Sequence, residues 1–173
     1  ELVLLRKERE EALRNEAYLS RYFSPSVVRA VKATNRLTSP SAEWSDATFV
    51  FTDLTDFLQL IEQLDPKDAV RLLAEYLDQM IDIVFRHDGT MMKIFGDALQ
   101  IAFGAPEFCA DHAGRAVKCV IELNAAARQF AALQRAKGVP FGNTRIGVHS
   151  GRAVIGNFGG ARFFDFTAYG HTV

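Results

Sequence analysis

Ala47-Thr-Phe-Val-Phe-Thr-Asp53-Leu-Thr-Asp-Phe57 is the stretch on which the fold turns. Residues 47–53 are β-branched and aromatic and end in an acid, which predicts a strand delivering a carboxylate to its end. Asp56 to about Glu62 then reads as a short helix. Further along, Met92-Lys-Ile-Phe-Gly96-Asp97-Ala-Leu-Gln-Ile-Ala-Phe103 reads as strands at 91–95 and 98–103 joined by Gly96-Asp97. The chain therefore presents two carboxylates, each in a tight turn between apolar runs.

The intervening sequence supplies helices. Asp65-Pro66 opens one by cap and first-position logic. Its apolar residues Val70, Leu73, Leu77, Met80, Ile81 and Val84 hold a helical period to about Arg86. Asp111 is expected to cap another that runs to about Lys137, with Ala116, Val120, Leu123 and Ala127 inward. Strands follow near 143–149, 152–156 and 163–169. The order β-α-α-β-β-α-β, with further strands, predicts an α+β layer: a ferredoxin-like antiparallel sheet with helices on one face. Its other face needs a cover, which a partner subunit would provide.

Upstream, residues 1–33 read as an N-terminal helical or coiled-coil signalling segment. Leu2, Leu5 and Leu13 approximate a seam, although Arg9 breaks it. Ser24-Pro25 starts a short helix within this segment. Polar, Pro-containing residues 34–46 read as linker, and 47–173 as the compact domain.

With 173 residues, 49% apolar and a net charge of −1, the chain is globular in composition and has no basic field for nucleic acid. No apolar run reaches a membrane span, and no signal peptide appears. Cys109 and Cys119 fall in one expected helical region, about 15 Å apart, too far to pair. They read as reduced thiols, which fits a cytoplasmic location. The chain opens at Glu1 without Met and stops at Val173 in a run that reads as unfinished. It is therefore taken as a fragment, with room for an upstream sensor or membrane segment.

Two acids held at turn tips suit divalent metal ions, and two metals suit phosphoryl or nucleotidyl transfer. Taken singly, Asp53 also fits a helix cap and Asp97 a turn residue. The wider pattern decides between these readings. Phe51-Thr-Asp-Leu-Thr-Asp-Phe57, Lys93-Ile-Phe-Gly-Asp-Ala98, Arg145-Ile-Gly-Val-His-Ser-Gly-Arg152, Ile155-Gly-Asn-Phe-Gly159 and Phe166-Thr-Ala-Tyr-Gly-His-Thr-Val173 occur in that order. Together they resemble the class III adenylate/guanylate cyclase catalytic domain over about residues 46–173. Leu19-Ser-Arg-Tyr-Phe-Ser-Pro25 also resembles the lead-in of many bacterial cyclases.

The resemblance implies the class III cyclase fold and conversion of ATP to 3′,5′-cyclic AMP and pyrophosphate. It implies two Mg²⁺ or Mn²⁺ ions per site, held by Asp53, Asp97 and the Leu54 carbonyl. The turn Leu54, Thr55, Asp56 and Phe57 would point backbone N–H groups at the phosphates. Lys93 and Thr167 would read adenine: an ammonium only donates, which suits N1, and a hydroxyl can accept from the N6 amine. Arg152 matches a phosphate-contacting arginine in part of the family and is carried as a catalytic candidate on the β- or γ-phosphate, with a solvated strand-end arginine as the alternative. His149 fits a packed or turn histidine, and Gly156, Gly159 and Gly160 fit turn glycines.

In the family the metal acids of one subunit face the base-reading residues of its mate, so a homodimer is implied. Two departures stand out. Asp56 occupies a position usually held by Gly, and is expected to weaken nucleotide affinity. His171 stands where Asp is frequent. The resemblance also places a transition-state Asn directly after Val173 and an Arg a turn later, so residues 1–173 alone are expected to lack catalysis. Two other readings stay open. One is guanylate cyclase activity, which would favour an acceptor at Lys93. The other is a degenerate domain that serves dimerisation and signalling. A diguanylate cyclase would carry a Gly-Gly-(Asp/Glu)-Glu-Phe stretch, which is not found.

Overall fold

The computed structural model describes residues 23–34, 41–160 and 162–173. The coiled-coil expectation for the first residues of the chain lies outside them. Helix α1 (Pro25–Thr34) is followed by β1 (Ser41–Leu54), α2 (Phe57–Gln63) and α3 (Pro66–Arg86). Then come β2 (Thr90–Phe95), β3 (Ala98–Phe103), α4 (His112–Ala136), β4 (Thr144–Gly160) and β5 (Phe163–Tyr169). The sheet order is β2-β3-β1-β4-β5, and every neighbouring pair is antiparallel.

Helices α3 and α4 cover one face. Asp65 caps α3 by accepting from the Lys67 N–H at 2.9 Å, and Pro66 fills the first turn, where no backbone donor is missed. Tyr76, Met80, Ile83 and Val84 of α3 pack with Cys119, Leu123, Ala127 and Phe130 of α4 against Val50, Leu99, Ile101 and Phe103 of the sheet. Burying each large side chain contributes roughly 1.5–3 kcal/mol. Val70, expected inward, is 70% exposed. The buried stripe runs instead through Ala69 and Tyr76, because the helix meets the sheet at a slightly rotated face.

Four further expectations are corrected. Strand β1 begins at Ser41, so residues 41–46 belong to the sheet and not to a linker. They pair without a break with residues 152–157 of β4, and the partner strand's ladder overrides the weak strand preference of the segment. Strand β4 is one element, not two; Ser150 and Gly151 face Thr48 and Ala47 in register rather than turning. Asp111 stands at the start of α4 but makes no side-chain cap. Cys109 precedes α4 rather than lying in it, and both thiols are free.

The sheet is strongly curled. Strands β2 and β5 are its two edges, and in a flat sheet four spacings of about 4.8 Å would separate them. Yet Lys93 of β2 and Asp165 of β5 form an ion pair at 2.5 Å. A second cluster lies on the sheet face away from α3 and α4: Ala47, Phe49, Ala102, Ala153, Ile155 and Ala168, joined by Phe51, Met92 and Phe166.

Candidate active site

Strand β1 ends at Asp53-Leu54, and the two-residue loop Gly96-Asp97 joins β2 to β3. Gly96 has φ +63, a left-handed position that glycine takes without a Cβ clash. The loop brings Asp97 to the end of β1, where its Oδ2 accepts the Leu54 N–H at 2.8 Å. Asp97 is therefore bonded to the peptide that directly follows Asp53, and the two predicted acids sit at one corner of the sheet.

The turn beyond is braced from β4's side. Thr55 N–H donates to the Asn143 carbonyl at 2.9 Å, and Asn143 N–H returns a bond to Thr55 Oγ1 at 2.9 Å. Gly142 is required here, since a Cβ would come within 1.9 Å of the Thr55 carbonyl oxygen. Beneath the corner, the buried Tyr76 phenol shares a 2.9 Å hydrogen bond with Thr144 Oγ1. Burial pushes its pKa up, and the Asp97 and Asp53 charges push it further. The field of both carboxylates thus reaches the same point in the core.

Asp53 is paired with Arg145, which faces it directly across β1 and β4. Arg145 belongs to a motif quoted above, but sequence reasoning gave it no role, because only the register shows that it opposes the acid. Arg152 does not join this corner. It faces Asp46, and its guanidinium lies over the Trp44 ring, 5.2 Å from the centroid. Seven residues of β1, about 23 Å, separate that position from Asp53.

The base-reading candidates form a second group. The Lys93 ion pair is with Asp165, not with Asp53 or Asp97. Thr167 is buried two residues further along β5, opposite Gly156. Asp165 was also missed. The signal for it was available, since residues two apart on a strand share a face.

Asp56 precedes α2 with φ 57 and ψ 23 and makes no side-chain cap. Phe57 begins that helix and packs against the main core. A cavity of about 650 Å³ lies elsewhere, lined by Ser41, Glu43, Pro106, Phe108 and Phe166 among others. It contains none of the predicted site residues, and the acids sit on the open end of the sheet.

The donor set fits a hard divalent cation: two carboxylates at one turn corner, with the Leu54 carbonyl as a backbone oxygen beside them. Among the described residues no group of three or more His, Cys, Asp or Glu comes together. Any metal there would rest on this sparse oxygen set and on the substrate's own oxygens.

The fold and the sequence together place the chain in a known class. The chain belongs to the family of the adenylate and guanylate cyclase catalytic domain, whose model matches residues 40–173. It is 36% identical over 133 residues to adenylate cyclase 1 of Rhizobium meliloti, covering 76% of this chain and 20% of that protein. The chain thus spans about a fifth of that relative. Among solved structures, the guanylyl cyclase Cya2 is 30% identical with a TM-score of 0.70, covering 77% of this chain and 68% of that one. The adenylyl cyclase CyaB from P. aeruginosa is 28% identical with a TM-score of 0.71, covering 77% and 69%. Among the described residues no helix is long and apolar enough to cross a membrane.

Proposed function

We propose that this chain is the catalytic domain of an adenylate cyclase, forming 3′,5′-cyclic AMP and pyrophosphate from ATP as a homodimer in signal transduction. The observation that carries the reading is the Asp97–Leu54 hydrogen bond at 2.8 Å, which joins the two acids at one corner. Asp53, Asp97 and the Leu54 carbonyl would hold Mg²⁺ or Mn²⁺. When bound, these ions supply positive charge against the triphosphate and the reacting oxygens. The ribose 3′-oxygen displaces pyrophosphate at the α-phosphorus. Arg145 at this corner carries a guanidinium suited to the triphosphate.

Lys93 donates to adenine N1, and Thr167 accepts from the N6 amine. Asp165 holds the Lys93 ammonium from the neighbouring edge. The site is shared between two protomers, with Lys93 and Thr167 of one facing the acids of the other. A second reading, guanine recognition, is favoured by one observation: Asp165 puts a carboxylate acceptor beside Lys93, and guanine presents N–H donors at N1 and N2.

Cyclic-nucleotide formation by the full protein from ATP and from GTP, in Mg²⁺ and in Mn²⁺, decides between them. We expect turnover of ATP over GTP. Asp53→Asn and Asp97→Asn should each lower it about a hundred-fold or more, since each removes several kcal/mol of charge organisation. Preferential turnover of GTP would favour the second reading. Failure with both nucleotides would leave a dimerisation and signalling module.

A further inference from the structure

We propose that in the nucleotide-free domain Arg145 competes with the divalent cation for Asp53, so that metal binding through this acid is weakened while the ion pair is intact. The inference rests on the reading of Asp53 as a metal ligand. It goes beyond that reading by assigning a cost to metal entry and naming the side chain that sets it.

The contact is made by Asp53 Oδ2 and Arg145 Nη2. It is delivered by the backbone, because the two residues are direct partners in the β1–β4 register. Such partners have Cβ atoms about 5 Å apart, well within reach of an arginine side chain. The guanidinium on Oδ2 already neutralises part of the carboxylate charge, and it repels a divalent ion that approaches the same group.

The neighbouring acid is held differently. Asp97 Oδ2 accepts from a neutral peptide N–H, a contact that orients the carboxylate without neutralising its charge. The two carboxylates are therefore unequal: one is charge-paired and the other is only oriented. Arg145 also has somewhere to go. Its side chain is 67% exposed, and a Cβ placed on Gly147, the next residue on the same strand face, would meet nothing within 4 Å. Because both partners of the pair are exposed, its contribution is modest. The displacement should cost metal affinity about two- to five-fold.

The test is Mn²⁺ binding to the nucleotide-free full protein, followed by the electron paramagnetic resonance signal of free Mn²⁺. Arg145→Gln should tighten binding about two- to five-fold, with Arg145→Met giving a second reading of the same displacement. Arg145→Lys, which keeps the charge but not the fork, should fall between parent and Arg145→Gln. In an Asp53→Asn background the residue-145 effect should vanish. Far-ultraviolet circular dichroism checks that each variant folds. Mn²⁺ affinity unchanged or weakened in both Arg145→Gln and Arg145→Met overturns the competition and leaves the proposed reaction standing. Mn²⁺ binding indifferent to Asp53→Asn overturns it too, and removes the reading of Asp53 as a ligand.

Discussion

Asp56 sits at φ 57, a left-handed conformation in which a Cβ normally costs about 1–2 kcal/mol, less for Asp than for most residues. The position suits glycine, which takes this conformation without a Cβ clash. We expect Asp56→Gly to stabilise the domain by about 0.5–1 kcal/mol and Asp56→Val to destabilise it by about 1–2 kcal/mol, read from chemical-denaturation midpoints. Equal midpoints for all three would mean that the turn relaxes away from this conformation. The identity of Asp56 was plain from the sequence, but its backbone angle was not, since the angle is imposed by the Thr55–Asn143 brace on one side and α2 on the other. The same limit applied to the arginines. Arg145 and Arg152 stand in one motif, and only the register decided which of them meets Asp53. Cys119 is simpler: burial pushes its thiol up to about 12, so it is un-ionised at neutral pH.

Helices α3 and α4 are joined at their surface by a clamp the helical periodicity did not reveal. His87 Nε2 and Glu122 Oε2 lie 2.7 Å apart, and Arg86 pairs with the other Glu122 oxygen. His87 first, and Arg86 second, hold the Glu122 carboxyl below its ordinary value of 4.5. A carboxyl with a depressed folded pKa stabilises the fold above its unfolded pKa, and that stabilisation is lost as pH falls through the folded value. The stability difference between the parent and Glu122→Gln should therefore be full at neutral pH, begin to shrink near pH 4.5 and vanish further down. A difference that stays constant from pH 7 to pH 3 in denaturation experiments would exclude the carboxylate as its source. At this scale the helices were legible because their apolar spacing is local. The strands were less so. Residues 41–46 and the Ser150-Gly151 step look like loop by composition, yet they lie in one uninterrupted β1–β4 ladder.

The whole domain is organised by the curl of its sheet, which brings the edge strands β2 and β5 together at Lys93 and Asp165. Helix α1 is tied to this frame. Ser24 Oγ accepts the Met91 N–H at 3.2 Å, and Ser26 and Thr90 hydroxyls meet at 2.7 Å, at the foot of the strand that carries Lys93. Because α1 is built into the domain, a coiled coil within residues 1–33 that supports the dimer is best tested by removing only what precedes α1. A chain beginning at Phe23 should associate more weakly in sedimentation, and an unchanged association constant would refute the role. The sequence by itself determined the helices and most strands, the two acids at turn tips and the family, because apolar periodicity, cap residues and turn glycines act within a few neighbouring residues. Only the tertiary structure decided that Arg145 faces Asp53, that Arg152 stacks on Trp44, that β4 runs unbroken and that Lys93 meets Asp165. Those contacts depend on strand register and sheet curl, which are set by backbone ladders and packing between segments far apart in the chain.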